Sequence, residues 1–206
     1  MIRTIEEFKT VIGNALPDIS AACVGCEWPD CRGWIWVMPD EEMDLMRAGM
    51  ELLQVNGTSG PVFLNLTRRD EDGNEYVALG DTACHYRNAD GSCSVHEARP
   101  LACHIYPLAL DTTEDLENLW ALHLDCKYVD DARIAGRLDQ LVDTMLTIID
   151  SLDPAFEEEI YRNWAKAEHM WRPDTLKNHY VKLRDMRHRI VTRRAGPSAS
   201  RITPNI

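Results

Sequence analysis

Thiol chemistry is the first possibility this chain raises: seven of its 206 residues are cysteine, and they fall in groups. Cys23, Cys26 and Cys31 lie within nine residues, while Cys84, Cys93, Cys103 and Cys126 spread across the middle. Thiolates are the soft ligands that zinc and iron–sulfur clusters take. The first residues, MIRTIEEFKTVIG, are mixed and charged, with no apolar stretch and no small-residue cleavage site, so the expected setting is the reducing cytoplasm. There metal binding is favoured over disulfides, and an odd count leaves at least one thiol without a cysteine partner.

Cys23-Val-Gly-Cys26 is a C-x-x-C knuckle, a spacing that turns two thiolates toward one metal, with Gly25 where the turn is tightest. A thioredoxin-type redox pair has the same spacing but sits between a strand and a helix of a βαβ unit, a pattern this chain lacks. One tetrahedral zinc or one [4Fe-4S] cluster uses four thiolates, so seven cysteines exceed one site and fall one short of two. A histidine could supply an eighth ligand, from His85, His96, His104 or His123.

The second cysteine region carries Gly91-Ser-Cys93 and Arg99-Pro-Leu-Ala-Cys103-His-Ile-Tyr-Pro107. In identity and spacing these segments resemble the YkgJ-type (CxxCxxCC) cysteine-cluster family, described as zinc- or iron-chelating or as Fe–S-cluster proteins. That family pattern has a leading C-x-x-C-x-x-C-C, a Gly-x-Cys turn and an Arg-Pro-x-x-Cys-Arg-x-x-Pro run. The resemblance covers residues 20 to about 128. It departs in the leading cluster, here C-x-x-C-x-x-x-x-C without a doubled cysteine, and in His104, which stands where arginine is common. What the resemblance implies is a metal site drawn from Cys23, Cys26, Cys31, Cys84, Cys93, Cys103 and Cys126. His104, beside Cys103, is the first choice for a non-cysteine ligand and His123 the second. The resemblance leans toward an iron–sulfur cluster, a [4Fe-4S] cluster first, with zinc as the alternative. Trp28, Trp34 and Trp36 beside the first knuckle would supply either a dry shell for a cluster or ordinary core packing. Arg99 could pair with cluster charge, or with Glu97 or Asp90 to lock the turn, and the structural role is favoured.

The elements that must hold these residues are short. Ile5, Phe8 and Ile12 at helical spacing, with Thr4 and Glu7 as a capping box, predict a helix over 3–16. Trp34–Met38 predicts one buried strand. A helix over 40–54 would carry Met43, Met46 and Met50 as a core stripe. Val62–Thr67 and Glu75–Leu79 predict a hairpin around Asp72-Gly73, and Asn88-Ala-Asp-Gly91 a tight reversal. Beyond, Ile134 to Leu152 reads as one amphipathic helix, Phe156 to Trp171 as a second starting at Asp153-Pro154, and Leu176, Tyr180, Leu183 and Ile190 as a third. The expected fold is therefore α+β: a small cysteine-rich metal-binding core of short strands and helices over residues 1–129, a C-terminal helical layer over 130–192, and a basic tail over 193–206.

Composition narrows the functions. At 45% hydrophobic and 27% charged, the chain has material for a conventional core, so a metal need not carry the whole fold. No apolar run approaches the ~20 residues of a membrane span. The net charge of −12 argues against nucleic-acid binding by the body of the protein. Between Lys182 and Arg201, seven basic residues face one acid, a local surplus of six that leaves −18 for the remainder. Three functions fit: a metal-binding accessory protein with a redox or metal-handling role; a cluster- or metal-dependent modification enzyme, since one branch of the resembling family comprises flagellin lysine methylases; and a zinc-stabilised interaction module recruiting a protein partner through the C-terminal helices, with His169, Trp171 and His179 exposed. Neither a glycine-rich S-adenosylmethionine loop nor the C-x3-C-x2-C triplet of radical S-adenosylmethionine enzymes is present.

Overall fold

The computed structural model describes residues 1–17, 19–24, 26, 35–54, 60–64, 67–69, 71–73, 75–77, 84–112, 118–170 and 180–186. Cys31, Trp28, Trp34, Trp171, His179 and the tail over 193–206 lie outside them. Helices and antiparallel sheets are mixed along the chain. Helix α1 (Ile5–Ala15) starts where its signals predict: Thr4 Oγ1 accepts from Glu7 N at 3.2 Å. The Glu7 carboxylate reaches back one residue further, to Arg3 N at 2.7 Å, so only half of the capping box closes. Then come α2 (Ile19–Cys23), β1 (Trp36–Val37), α3 (Glu42–Arg47), β2 (Leu52–Gln54) and β3 (Val62–Leu64), with β3 central between β1 and β2.

Two of these differ from the sequence reading. The helix expected over 40–54 stops at Arg47, because Gly49 takes φ +82° and the chain turns into β2. Only Met50 of the methionine stripe is buried; Met43 and Met46 are more than half exposed. Val62–Leu64 pairs with β1 and β2, and the hairpin over Asp72-Gly73 is made instead by β4 (Thr67–Arg69) and β5 (Glu75–Val77).

The second half builds the main core. After α4 (Leu101–Ile105), β6 (Leu108–Thr112) and β7 (Asn118–His123) pair antiparallel, and α5 (Lys127–Ile134), α6 (Leu138–Asp150) and α7 (Pro154–Met170) follow. The helix expected from Ile134 to Leu152 is divided by Gly136 at φ +68°, which leaves Ile134 73% exposed. The third expected helix is a strand. β8 (Tyr180–Asp185) pairs antiparallel with β7, while Leu176 and Ile190 lie outside the described residues. The open edge of β7 supplies backbone partners that outweigh a weak helical pattern. The alternation of Val181 and Leu183 with Lys182 and Arg184 is the signal that was available.

One hydrophobic core runs from Phe8 and Ile12 through Leu101, Ile105, Trp120 and Val129 to Met145, Ile149, Ile160 and Trp164. The expected boundary between 129 and 130 thus falls inside a single packed cluster. Phe8 lies edge-on to both Trp120 and Phe156, with centroids 6.3 and 6.4 Å away. A smaller cluster around Val37, Leu45, Met50, Val62 and Leu64 underlies the β1–β3–β2 sheet. Two buried carboxylates tie the layers. Glu157 accepts from Trp120 Nε1 at 2.9 Å and from Arg184 Nη2, linking α7 to β7 and β8. Glu41 joins α1 and α4 near the site. Among the described residues no helix is long and apolar enough to cross a membrane.

Candidate metal centre

Four separate stretches bring cysteines to one cavity of about 470 Å³, whose wall includes Cys23, Cys26, Cys84, Cys93, Cys103 and Cys126. Cys23 closes α2, and its thiol lies 3.5 Å from the Ile19 carbonyl. Cys26 N donates to Cys23 O at 3.2 Å, the one-turn reversal expected of a C-x-x-C knuckle. Arg87 Nη2 donates to Cys26 O at 3.2 Å and so joins the first knuckle to a segment sixty-one residues away. The backbones of Arg87 and Cys93 bridge antiparallel across the predicted reversal, where Gly91 takes φ +91° and Asp90 accepts from Ser92 N at 2.9 Å. Ser92 holds the Asp90 carboxylate through both its N–H and its hydroxyl. It also lowers the Asp90 carboxyl below the usual range, the hydrogen bonds from Ser92 being the cause.

Cys103 sits on α4, and Arg99-Pro100 sets where that helix begins. A residue before proline is driven out of the helical region, and Arg99 is extended at φ −61°, ψ 147°, with Pro100 as the cap. The Leu101 N–H donates to Glu41 Oε1 at 2.7 Å, and the same carboxylate receives Lys9 Nζ at 2.9 Å and Met38 N at 3.2 Å. Cys126 caps α5, its carbonyl receiving Val129 N and Asp130 N, and α5 packs against α2. Among the described residues no disulfide joins one cysteine to another.

The cavity wall also carries Arg99, Lys127 and His96, and among its described residues there is no aspartate or glutamate. In a chain of net charge −12 that is a local inversion of charge. The Nε atoms of Arg87 and Arg99 and the Nε2 atom of His96 are buried without a hydrogen-bond partner. Buried polar atoms without partners are costly, about 1–3 kcal/mol each, and the two guanidinium N–H groups call for an acceptor. Thiolates, or a cluster they ligate, are acceptors of the right charge. The residues present therefore fit an anionic, thiolate-held metal group, although among the described residues no three His, Cys, Asp or Glu side chains form a group that could hold a metal ion.

The histidines separate. His96 is on the cavity wall; His104, the first choice from sequence, is not among the lining residues. On α4 consecutive side chains point about a quarter turn apart, so with Cys103 at the cavity His104 faces elsewhere. Burial and the nearby charges of Arg99, Lys9 and His96 lower its pKa to about 4. His123 Nε2 lies 3.3 Å from Asp111 and its ring packs edge-on to Tyr106; His85 is exposed. Tyr106 and Tyr128 complete the wall. Sequence reasoning missed Arg87 as well; its only signal was its place between Cys84 and Cys93.

Burial pushes the Cys23 thiol above its ordinary pKa of 9.0, the approach of Arg99 working against it and Cys26 and Cys93 reinforcing it. A ligand thiol must lose its proton, so metal uptake through this wall would release protons. Apparent metal affinity is expected to climb as pH rises from 6 toward 9, each step gaining up to about tenfold per proton released. A competition titration against a chelator of known affinity at several pH values measures it, and a flat profile would exclude protonated thiols as the ligands.

No protein-family model, curated protein or solved structure matches the chain.

Proposed function

We propose that the protein belongs to the class of thiolate-ligated metalloproteins, as a member of the YkgJ-type cysteine-cluster family that holds an iron–sulfur cluster in the cavity between α2, α4, the 84–95 segment and the start of α5. The observation that carries this reading is the convergence of six cysteines, from four stretches of chain, on one cavity. The resemblance of Gly91-Ser-Cys93 and Arg99–Pro107 to the cysteine-cluster family is what favours a cluster over a single zinc ion. The unpartnered guanidinium nitrogens of Arg87 and Arg99 would face the negative charge of such a group. When bound, a cluster supplies one-electron chemistry; the chain contributes the thiols, the counter-charges and the aromatic wall of Tyr106 and Tyr128. The role that follows is redox or metal handling.

Anaerobic purification followed by metal and sulfide analysis and a visible spectrum is the test. Iron and sulfide in near-equal amounts, with a brown absorbance that dithionite bleaches, is the expected result. A colourless protein with stoichiometric zinc would replace the cluster by a zinc site, and a protein with neither metal would sink the metal reading. The cavity volume favours one second reading: at about 470 Å³ it lies in the range of small-molecule sites, roughly 300–1,000 Å³, leaving space for a substrate beside the metal, as in a metal-dependent modification enzyme.

A further inference from the structure

His96 bears on the odd number of cysteines. Its imidazole follows Cys93 by three residues, at the start of the single-turn helix His96–Ala98, and lies on the wall that also carries the six thiols. The two ring nitrogens have different surroundings. Nδ1 lies 3.4 Å from the exposed Glu97 carboxylate, whereas Nε2 is buried with no partner. An N–H on Nδ1 directed at a carboxylate leaves the lone pair on Nε2, the tautomer in which metal-bound histidines are held by a carboxylate behind them. A buried imidazole nitrogen with no acceptor or donor opposite it is a cost the fold would otherwise carry for nothing.

The other histidines offer no such nitrogen to the cavity. None of the three lines it: His104 has a buried Nδ1 that also lacks a partner but lies off this wall, His123 Nε2 is 3.3 Å from Asp111, and His85 is exposed. Two four-ligand sites would need one donor more than the seven thiols supply, and an imidazole would make up that number.

Resting on the metal reading above, we propose that His96 is a metal ligand through Nε2, so that the centre in this cavity has mixed sulfur and nitrogen coordination. The metal it takes is iron of a cluster or zinc, both of which accept imidazole beside thiolate. In an iron–sulfur centre, replacing thiolate by histidine raises the reduction potential. The neighbouring Arg99 and Arg87 would balance the thiolates that remain.

The deciding experiment is X-ray absorption at the edge of whichever metal the purified full chain contains, on wild type and on His96→Gln, His96→Cys and His104→Gln. If the metal is iron, the reduced protein is also examined for nitrogen hyperfine coupling with and without 15N-histidine. The expected result is a nitrogen scatterer in wild type and in His104→Gln, absent from His96→Gln, and replaced by sulfur in His96→Cys. Should His96→Gln bind no metal, recovery of wild-type metal content in His96→Cys supports the assignment, provided the metal-free proteins give the same circular dichroism. No recovery in a folded His96→Cys counts against it. A centre ligated by sulfur alone, or a nitrogen signal that survives in His96→Gln, overturns the proposal and leaves the metal reading standing. A wild-type protein with no iron and no zinc overturns the metal reading itself.

Discussion

Replacing Cys103 by serine is expected to cut bound metal at least about tenfold while leaving the far-ultraviolet circular dichroism unchanged. Serine keeps the shape of the side chain but offers a hydroxyl that stays protonated at neutral pH. Cys103 is the thiol that α4 presents to the cavity, and α4 is anchored by core residues Leu101 and Ile105, so no neighbouring thiol on that helix can take its place. The fold survives because the main core, from Phe8 to Trp164, is built of aliphatic and aromatic side chains and does not depend on the metal. The same substitution made in turn at Cys23, Cys26, Cys84, Cys93 and Cys126 tells one centre from two. A single four-thiolate cluster makes some of these variants severe and the others mild, whereas two centres make all of them severe. Iron, zinc and sulfide per chain, measured after anaerobic preparation, read the difference. Metal content unchanged in every variant would remove the cavity as the site.

Glu41→Ala is expected to cost roughly 3–5 kcal/mol. The carboxylate is 5% exposed and receives three donors: Lys9 Nζ from α1, Met38 N from the end of β1, and Leu101 N at the start of α4. Alanine leaves an ammonium that is only 14% exposed without its partner, and two backbone N–H groups without an acceptor. Glu41→Gln keeps the shape and one acceptor oxygen but sets its amide N–H groups against one of the donors, so it should cost less than alanine while losing the charge that faces Lys9. Because Leu101 and Cys103 share α4, the damage is expected at the site too, as weaker metal retention in any Glu41→Ala protein that folds. Denaturant melts of the two variants against wild type, and against Lys9→Met with the carboxylate left in place, check the size and the cause. A loss below about 1 kcal/mol for Glu41→Ala would mean that water replaces all three donors.

The Cys23–Cys26 turn, the Asn88–Gly91 reversal, the Thr4 cap and the start of α7 at Asp153-Pro154 were legible in the sequence. Each is closed by hydrogen bonds between residues no more than four apart, such as Gly91 N to Asn88 O at 3.0 Å and Ala155 N to Asp153 Oδ1 at 2.9 Å. Local chemistry of that kind needs no knowledge of the rest of the chain. The mixture of helices with antiparallel sheets was also legible, since the periodicities that carry it are local.

What the tertiary structure alone decided is everything that depends on which way a side chain faces once a distant element has docked. Tyr180–Asp185 became a strand because β7 had an open edge, and Met43 and Met46 stayed exposed because α3 ended at Arg47 before its stripe could reach a partner. Glu41 reads in sequence as one more acid on a polar helix start, and only the approach of α1 and α4 makes it a buried link. The histidines show the same division. Residue type and spacing made His85, His96, His104 and His123 candidates alike, and adjacency to Cys103 favoured His104. Helix geometry turns neighbouring side chains to different faces, so α4 set Cys103 on the cavity wall and left His104 off it, while a single helical turn after Cys93 set His96 on the wall with the thiols. The type of chemistry was written in the residues, and the packing chose which of them meet.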